Sequence, residues 1–198
     1  MQRYLHCTYT IDCEEESVKE KAQILTMDKE TTVDRATALF YFVRDEIKYN
    51  PYVPLYTLED NKASATLQRG EGYCVQKAIL LAALARASGI PTKLGFADIR
   101  NYILPKKIAD AMRGENLFIY HGYVAFYLDR KWVKATPAFD LKMCKKNLII
   151  PVDFDGRSDA QFHRNNREGK LHIEYVRDHG YFNDLPWEKM LEARAGRY

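Results

Sequence analysis

"RGEGYCVQKAILLAALARASGIPTK", residues 69–93, sets a cysteine just behind two glycines and at the head of an alanine-rich run. A structural cysteine can sit anywhere along such a run. A thiol in the first turn of a helix is different, because it meets unpaired backbone N–H groups and the positive end of the helix dipole, which favour a thiolate. The spacing predicts a helix from Cys74 to Ser88, with Val75, Ala78, Ile79, Ala82 and Ala85 forming its apolar stripe. Gly89 can take the left-handed C-terminal conformation and Pro91 forbids continuation, so the helix ends there. Its small side chains allow close approach to a partner, and a sheet is the expected partner.

The flanking segments suit that arrangement. Residues 3–11, "RYLHCTYTI", alternate like a strand, and "DCEEESVKEKAQIL" reads as a polar connection turning helical toward its end. "TVDRATALFYFVRDEIKYN" repeats apolar residues at helical spacing, with Asp34 or Thr32 as its cap. "YVPLYTLEDN" reads as a loop and "ASATLQRGEG" as a short helical turn. Three strands are then expected, "PTKLGFADI", "FIYHGYVAFYL" and "KWVKAT", the last two joined by a tight turn at Asp129 and Arg130. Between the first two lies a surface insertion, "RNYILPKKIADAMRGEN", with one helical turn. "NLIIPVDFDG" and "KLHIEYVRD" suggest further strands, and "PWEKMLEAR" a terminal helix opened by proline. Helices first and antiparallel strands after make an α+β chain, read here as one domain over residues 1–198.

Composition narrows the function classes. A net charge of +3 and short basic segments without interleaved aromatics argue against a nucleic-acid surface. The N-terminus lacks a continuous apolar signal segment, and the longest apolar run, residues 78–85, is too short for a membrane helix. A soluble cytoplasmic protein is expected. Cys7, Cys13, Cys74 and Cys144 form no C-x-x-C pair, so reduced thiols are the expectation. No metal or other cofactor is expected: "DFDGRSD" reads as a turn, and His163, His172 and His179 are a poor zinc set.

A nucleophilic cysteine needs a base within reach and a third group to orient that base. Of the five histidines, His121 stands out because it begins a strand, on the face that continues through Tyr123, Ala125 and Tyr127, away from the more apolar face. With a two-residue turn at Asp129 and Arg130, Thr136 falls opposite Tyr123 and diagonal to His121. Extrapolation past Pro137 puts Asp140 on the mirrored diagonal. Tyr73, Tyr120 and Tyr123 serve either a substrate groove or, more simply, packing.

These residues bring out a resemblance. "RGEGYCVQKAILLAALARASGIPTKLGF" followed by "HGYVAFYLDRKWVKATPAFD" resembles the core of the transglutaminase-like superfamily over about residues 35–140. The resemblance implies a papain-like α+β fold, with Cys74 as nucleophile and His121 as base. It also implies acyl transfer on an amide of a peptide, protein or small molecule, through a thioester resolved by water or an amine. There is one departure: the family's W-V-x-x-D-P-T places an aspartate where this chain has Thr136. Asp140, four positions later, is the nearest carboxylate, so the third role falls to Asp140 or to Thr136. Gln68, six residues before Cys74, is similar in placement to the oxyanion glutamine of papain-like proteases. Two rival readings stay open, a weak or inactive pseudoenzyme serving as a peptide-binding module and an arylamine N-acetyltransferase-like enzyme.

Overall fold

A computed structural model describes residues 1–54, 56–104, 110 and 113–195. Helices α1 (Glu16–Thr26), α2 (Thr32–Asp45), α3 (Ala63–Arg69) and α4 (Cys74–Ala87) occupy the first half. A short parallel ladder joins β1 (Lys48–Tyr49) to β2 (Glu71–Gly72) and so ties the chain after α2 to the turn before α4. In the second half β3 (Thr92–Asn101), β4 (Leu117–Leu128), β5 (Lys131–Ala135) and β6 (Ile173–Phe182) form an antiparallel sheet in the order β5-β4-β3-β6. Helix α5 (Leu141–Lys146) follows β5, and α6 (Trp187–Ala195) ends the described chain. The α+β order read from the sequence is the order observed.

Helix α4 does more than rest on the sheet. Every residue from Val75 through Arg86 is buried, because α1, α2 and α3 cover the sides that β3 and β4 leave open. A helix apolar all round belongs in a core. Ile79, Leu80, Leu81 and Leu84 have no exposure, each stabilising the fold by roughly 1.5–3 kcal/mol. Its two buried cations are held by carbonyls: Lys77 Nζ donates to Arg44 O at 3.0 Å and Ile47 O at 2.6 Å. The Arg86 guanidinium donates to the carbonyls of Thr92, His6 and Asn183. Gly89, with φ of +74°, ends the helix as expected.

The β4–β5 hairpin has the expected register, running from Leu128↔Lys131 to Val124↔Ala135. Asp129 and Arg130 both have positive φ, 45° and 67°, the geometry of a type I′ turn built without glycine. Helix α2 is capped by Thr31, whose Oγ1 accepts the Asp34 N–H at 3.0 Å, in place of the expected Thr32 or Asp34.

Three expectations change. Residues 3–11 are not a strand: after a 3₁₀ turn at Gln2–Tyr4 the chain reverses, with Thr8 N donating to Ile11 O. The alternation there reflects Tyr4, Thr10 and Ile11 turning into the core. That reversal brings Cys7 and Cys13 to a Cα separation of 5.2 Å, and they form a disulfide; only Cys74 and Cys144 are free thiols. Residues 147–156 form no strand, although Ile149, Val152 and Phe154 are buried along an extended path that Arg44 fixes by donating to Val152 O. The polar stretch "DCEEESVKEKAQIL" is helical from Glu16 onward, with Val18 and Ala22 as its buried contacts. Most of the helical turn expected in the 100–116 insertion lies outside the described residues. Among the described residues no helix is long and apolar enough to cross a membrane.

Candidate active site

Cys74 is the first residue of α4, and Gln76 builds the turn that presents it. Gln76 is fully buried. Its Oε1 accepts the Tyr73 N–H at 3.3 Å, and its Nε2 donates to Asp60 O at 2.8 Å and Pro54 O at 3.3 Å. A glutamine at the third helical position reaching back to the N-cap amide is half of a capping box, which is the sequence signal that could have singled it out. Gln68, by contrast, is exposed on α3, away from the role expected of it.

Strand β4 meets α4 at Gly122. A Cβ there would lie 2.8 Å from Val75 Cα and 3.3 Å from Cys74 O, so only glycine lets helix and strand come this close. The backbone N–H groups of Gly122, Val75 and Cys74 lie near enough to the Cys74 sulfur to favour its thiolate. Burial still pushes the thiol above its ordinary pKa, outweighing those N–H groups and the nearby Arg194 charge. Cys74 keeps some exposure, and it shares with His121 the wall of a cavity of about 50 Å³.

His121 is 2% exposed, with its ring 4.9 Å from Phe162 and 6.4 Å from Tyr175. Burial among these rings pulls its pKa down to about 3. Its Nε2 is sealed from solvent without a partner, and no hydrogen bond joins His121 to Cys74 among the described residues. Thiol and imidazole therefore share a cavity as two neutral groups, where the helix terminus alone had suggested a thiolate.

The third position is unfilled. Ladder pairing stops at Ala135, and Thr136 donates its N–H to Ala160 O at 2.9 Å. The Thr136 Oγ1 is buried, and the Tyr175 hydroxyl lies beside it without the geometry of a hydrogen bond. Asp140 does not take the orienting role expected for it. Its Oδ1 caps α5 by accepting the Met143 N–H at 2.7 Å, and its Oδ2 accepts the Tyr49 N–H at 2.9 Å. The extrapolated diagonal fails because the chain leaves the sheet after β5, so this carboxylate ties β1 to α5 instead.

A carboxylate–histidine pair, Asp98 and His179, borders the site. Tyr120 has φ of +54°, and its N–H donates to Asp98 Oδ1 at 3.0 Å. The same oxygen lies 2.7 Å from His179 Nε2, and the Tyr120 and His179 rings stack at 4.2 Å. These contacts hold the register shift in β3 and β4 that falls immediately before His121. His179 lies in a segment that reads as polar and loop-like, so nothing local signals this pairing. Tyr123 packs over Gly95 and is fully buried, in line with the packing account of the tyrosines.

A sequence profile of the transglutaminase-like superfamily matches residues 19–137, more than half of the chain. No curated protein matches it. Among solved structures, one provisionally named a cysteine protease, from Cytophaga hutchinsonii, superposes with a TM-score of 0.53 at 12% identity, covering 89% of this chain and 53% of that one. The chain thus spans about half the length of that structure. The periplasmic domain of TgpA from Pseudomonas aeruginosa gives a TM-score of 0.49 at 18% identity, covering 69% of this chain and 46% of that one. With that profile matched over residues 19–137 and the α+β core in place, the chain belongs to the transglutaminase-like superfamily.

Proposed function

We propose that this protein carries out cysteine-dependent acyl transfer on an amide, as a hydrolase or a transamidase. The observation that carries the reading is the shared cavity: Cys74 and His121 line it together, where Gly122 lets β4 come close to the start of α4. In the proposed reaction His121 takes the Cys74 proton as sulfur attacks the amide carbonyl. The carbonyl π electrons move to oxygen, and the Cys74 N–H donates to that oxyanion. Collapse breaks the C–N bond, the amine leaves with the proton from His121, and a thioester remains for water or an amine to resolve.

A weak or inactive enzyme is the second reading, favoured by the partnerless His121 Nε2 and by Thr136 at the third position. Incubation with a mixed amide library decides between them. A Cys74-linked acyl adduct seen by intact mass, absent from Cys74→Ala, supports catalysis. No adduct and no product with any amide supports the scaffold. The Cys7–Cys13 disulfide favours an oxidising compartment over the cytoplasm expected from the sequence.

A further inference from the structure

The cavity that Cys74 opens into has a wall chemistry of its own. Ile99, Phe118, Phe139, Met143 and Ile149 form it, and among its described lining residues there is no lysine, arginine, aspartate or glutamate. Its two asparagines are partly committed to their own backbone: Asn101 Oδ1 accepts the Ile103 N–H at 2.9 Å, and Asn147 Nδ2 donates to Met143 O at 2.9 Å. A carboxylate or ammonium placed here would lose its water and find no counter-charge among the described residues. A primary carboxamide would give up its water for the remaining ends of Asn101 and Asn147 and the Tyr49 hydroxyl, a poorer exchange than an aliphatic tip makes. An aliphatic side-chain tip gives up no hydrogen bond by entering, and a narrow slot of about 50 Å³ suits such a tip better than a ring or a whole ligand.

We propose that the acyl group accepted by this site carries an apolar, uncharged aliphatic side chain, as in a peptide bond that follows leucine. This rests on Cys74 acting as the nucleophile. Met143 is a specificity-determining residue in this arrangement, since it contributes a partly exposed side chain to the wall while its hydrogen bonds, to Asp140 and from Asn147, are made by its backbone.

The test is covalent and needs no turnover. N-blocked chloromethyl ketones of leucine, phenylalanine, glutamine, glutamate and lysine are incubated with the intact protein, and inactivation constants are read by mass at Cys74, with Cys74→Ala as blank. The leucine reagent should label at least about tenfold faster than the glutamine, glutamate and lysine reagents, and faster than the phenylalanine reagent, whose ring exceeds the slot. Met143→Glu, checked for folding by circular dichroism, should raise the lysine-to-leucine rate ratio about tenfold. Equal rates across the five, or preference for a polar reagent, overturn the apolar assignment and leave the cysteine chemistry standing. Labelling by iodoacetamide but by none of the ketones overturns the acyl-transfer reading and the pocket assignment together.

Discussion

His121 and Thr136 flank the same tyrosine, Tyr175, and each buries a polar atom without a partner among the described residues, Nε2 in one and Oγ1 in the other. Such atoms typically cost about 1–3 kcal/mol apiece. A carboxylate at position 136 would accept from the imidazole and favour its charged form. Thr136→Asp should therefore raise the His121 pKa from about 3 and speed Cys74 alkylation at pH 7 at least tenfold. Imidazole NMR titration and iodoacetamide kinetics read the two effects. An unshifted histidine with an unchanged rate would show that position 136 does not reach His121.

The resting protein should show no thiolate–imidazolium pair. Burial raises the Cys74 pKa and lowers that of His121, so both groups are neutral across pH 5–8. The iodoacetamide rate at Cys74 should climb steadily above neutral pH, with no acid plateau near pH 5–6. His121→Ala should leave that profile unchanged in the free protein. A plateau near pH 6 that vanishes in His121→Ala would mean the pair is already ionised.

Much of this site was legible from local signals. The glycines before Cys74, the R-x-x-G-I-P end of α4 and the two-residue turn at Asp129 and Arg130 each act over a few residues, and they placed α4, β4 and β5 within a residue or two. What failed depended on where the chain goes after a break. Asp140 follows Pro137 and the end of β5, so its fate turned on a departure from the sheet that no periodicity encodes. The Asp98–His179 contact spans 81 residues. Gln76 was within reach, because its position in the first helical turn is itself a capping signal.

Asp98 accepts from both the Tyr120 N–H and His179 while Tyr120 holds a positive φ. Asp98→Ala leaves a buried N–H and a strained backbone without support, and should destabilise the fold by about 2–4 kcal/mol in urea titration. Asp98→Asn keeps an acceptor and should lose less. Equal losses in the two variants would mean that the carboxylate's charge matters more than its bond to Tyr120.

Lys77 has no solvent exposure, and burial lowers its pKa from 10.5 to about 7 despite Asp140 and Asp45 nearby. Between those values the unfolded chain binds more protons than the folded one, so stability should rise with pH across that window and be lowest below pH 7. The slope approaches about 1.4 kcal/mol per pH unit at most. Lys77→Met should abolish this component of the slope. At pH 9 the variant should be the less stable protein, because the Arg44 and Ile47 carbonyls lose their donor, and the gap should narrow as pH falls toward 7. Parallel stability curves for the two proteins would mean that Lys77 stays charged in the core.

The Cys7–Cys13 disulfide closes a loop of six residues' separation, short enough that its entropic effect is modest. For a loop of that length the chain-entropy relation gives about 2 kcal/mol. The double variant Cys7→Ser/Cys13→Ser should lose roughly that much in urea titration, and wild type in reductant should lose the same. Thiol titration of the unfolded, unreduced protein should find two free thiols, those of Cys74 and Cys144. Four thiols in protein purified without reductant would show that the bond does not form. The buried Tyr4 and Ile11 would then hold the reversed N-terminal segment by packing alone, and the argument for an oxidising compartment would fall with the bond.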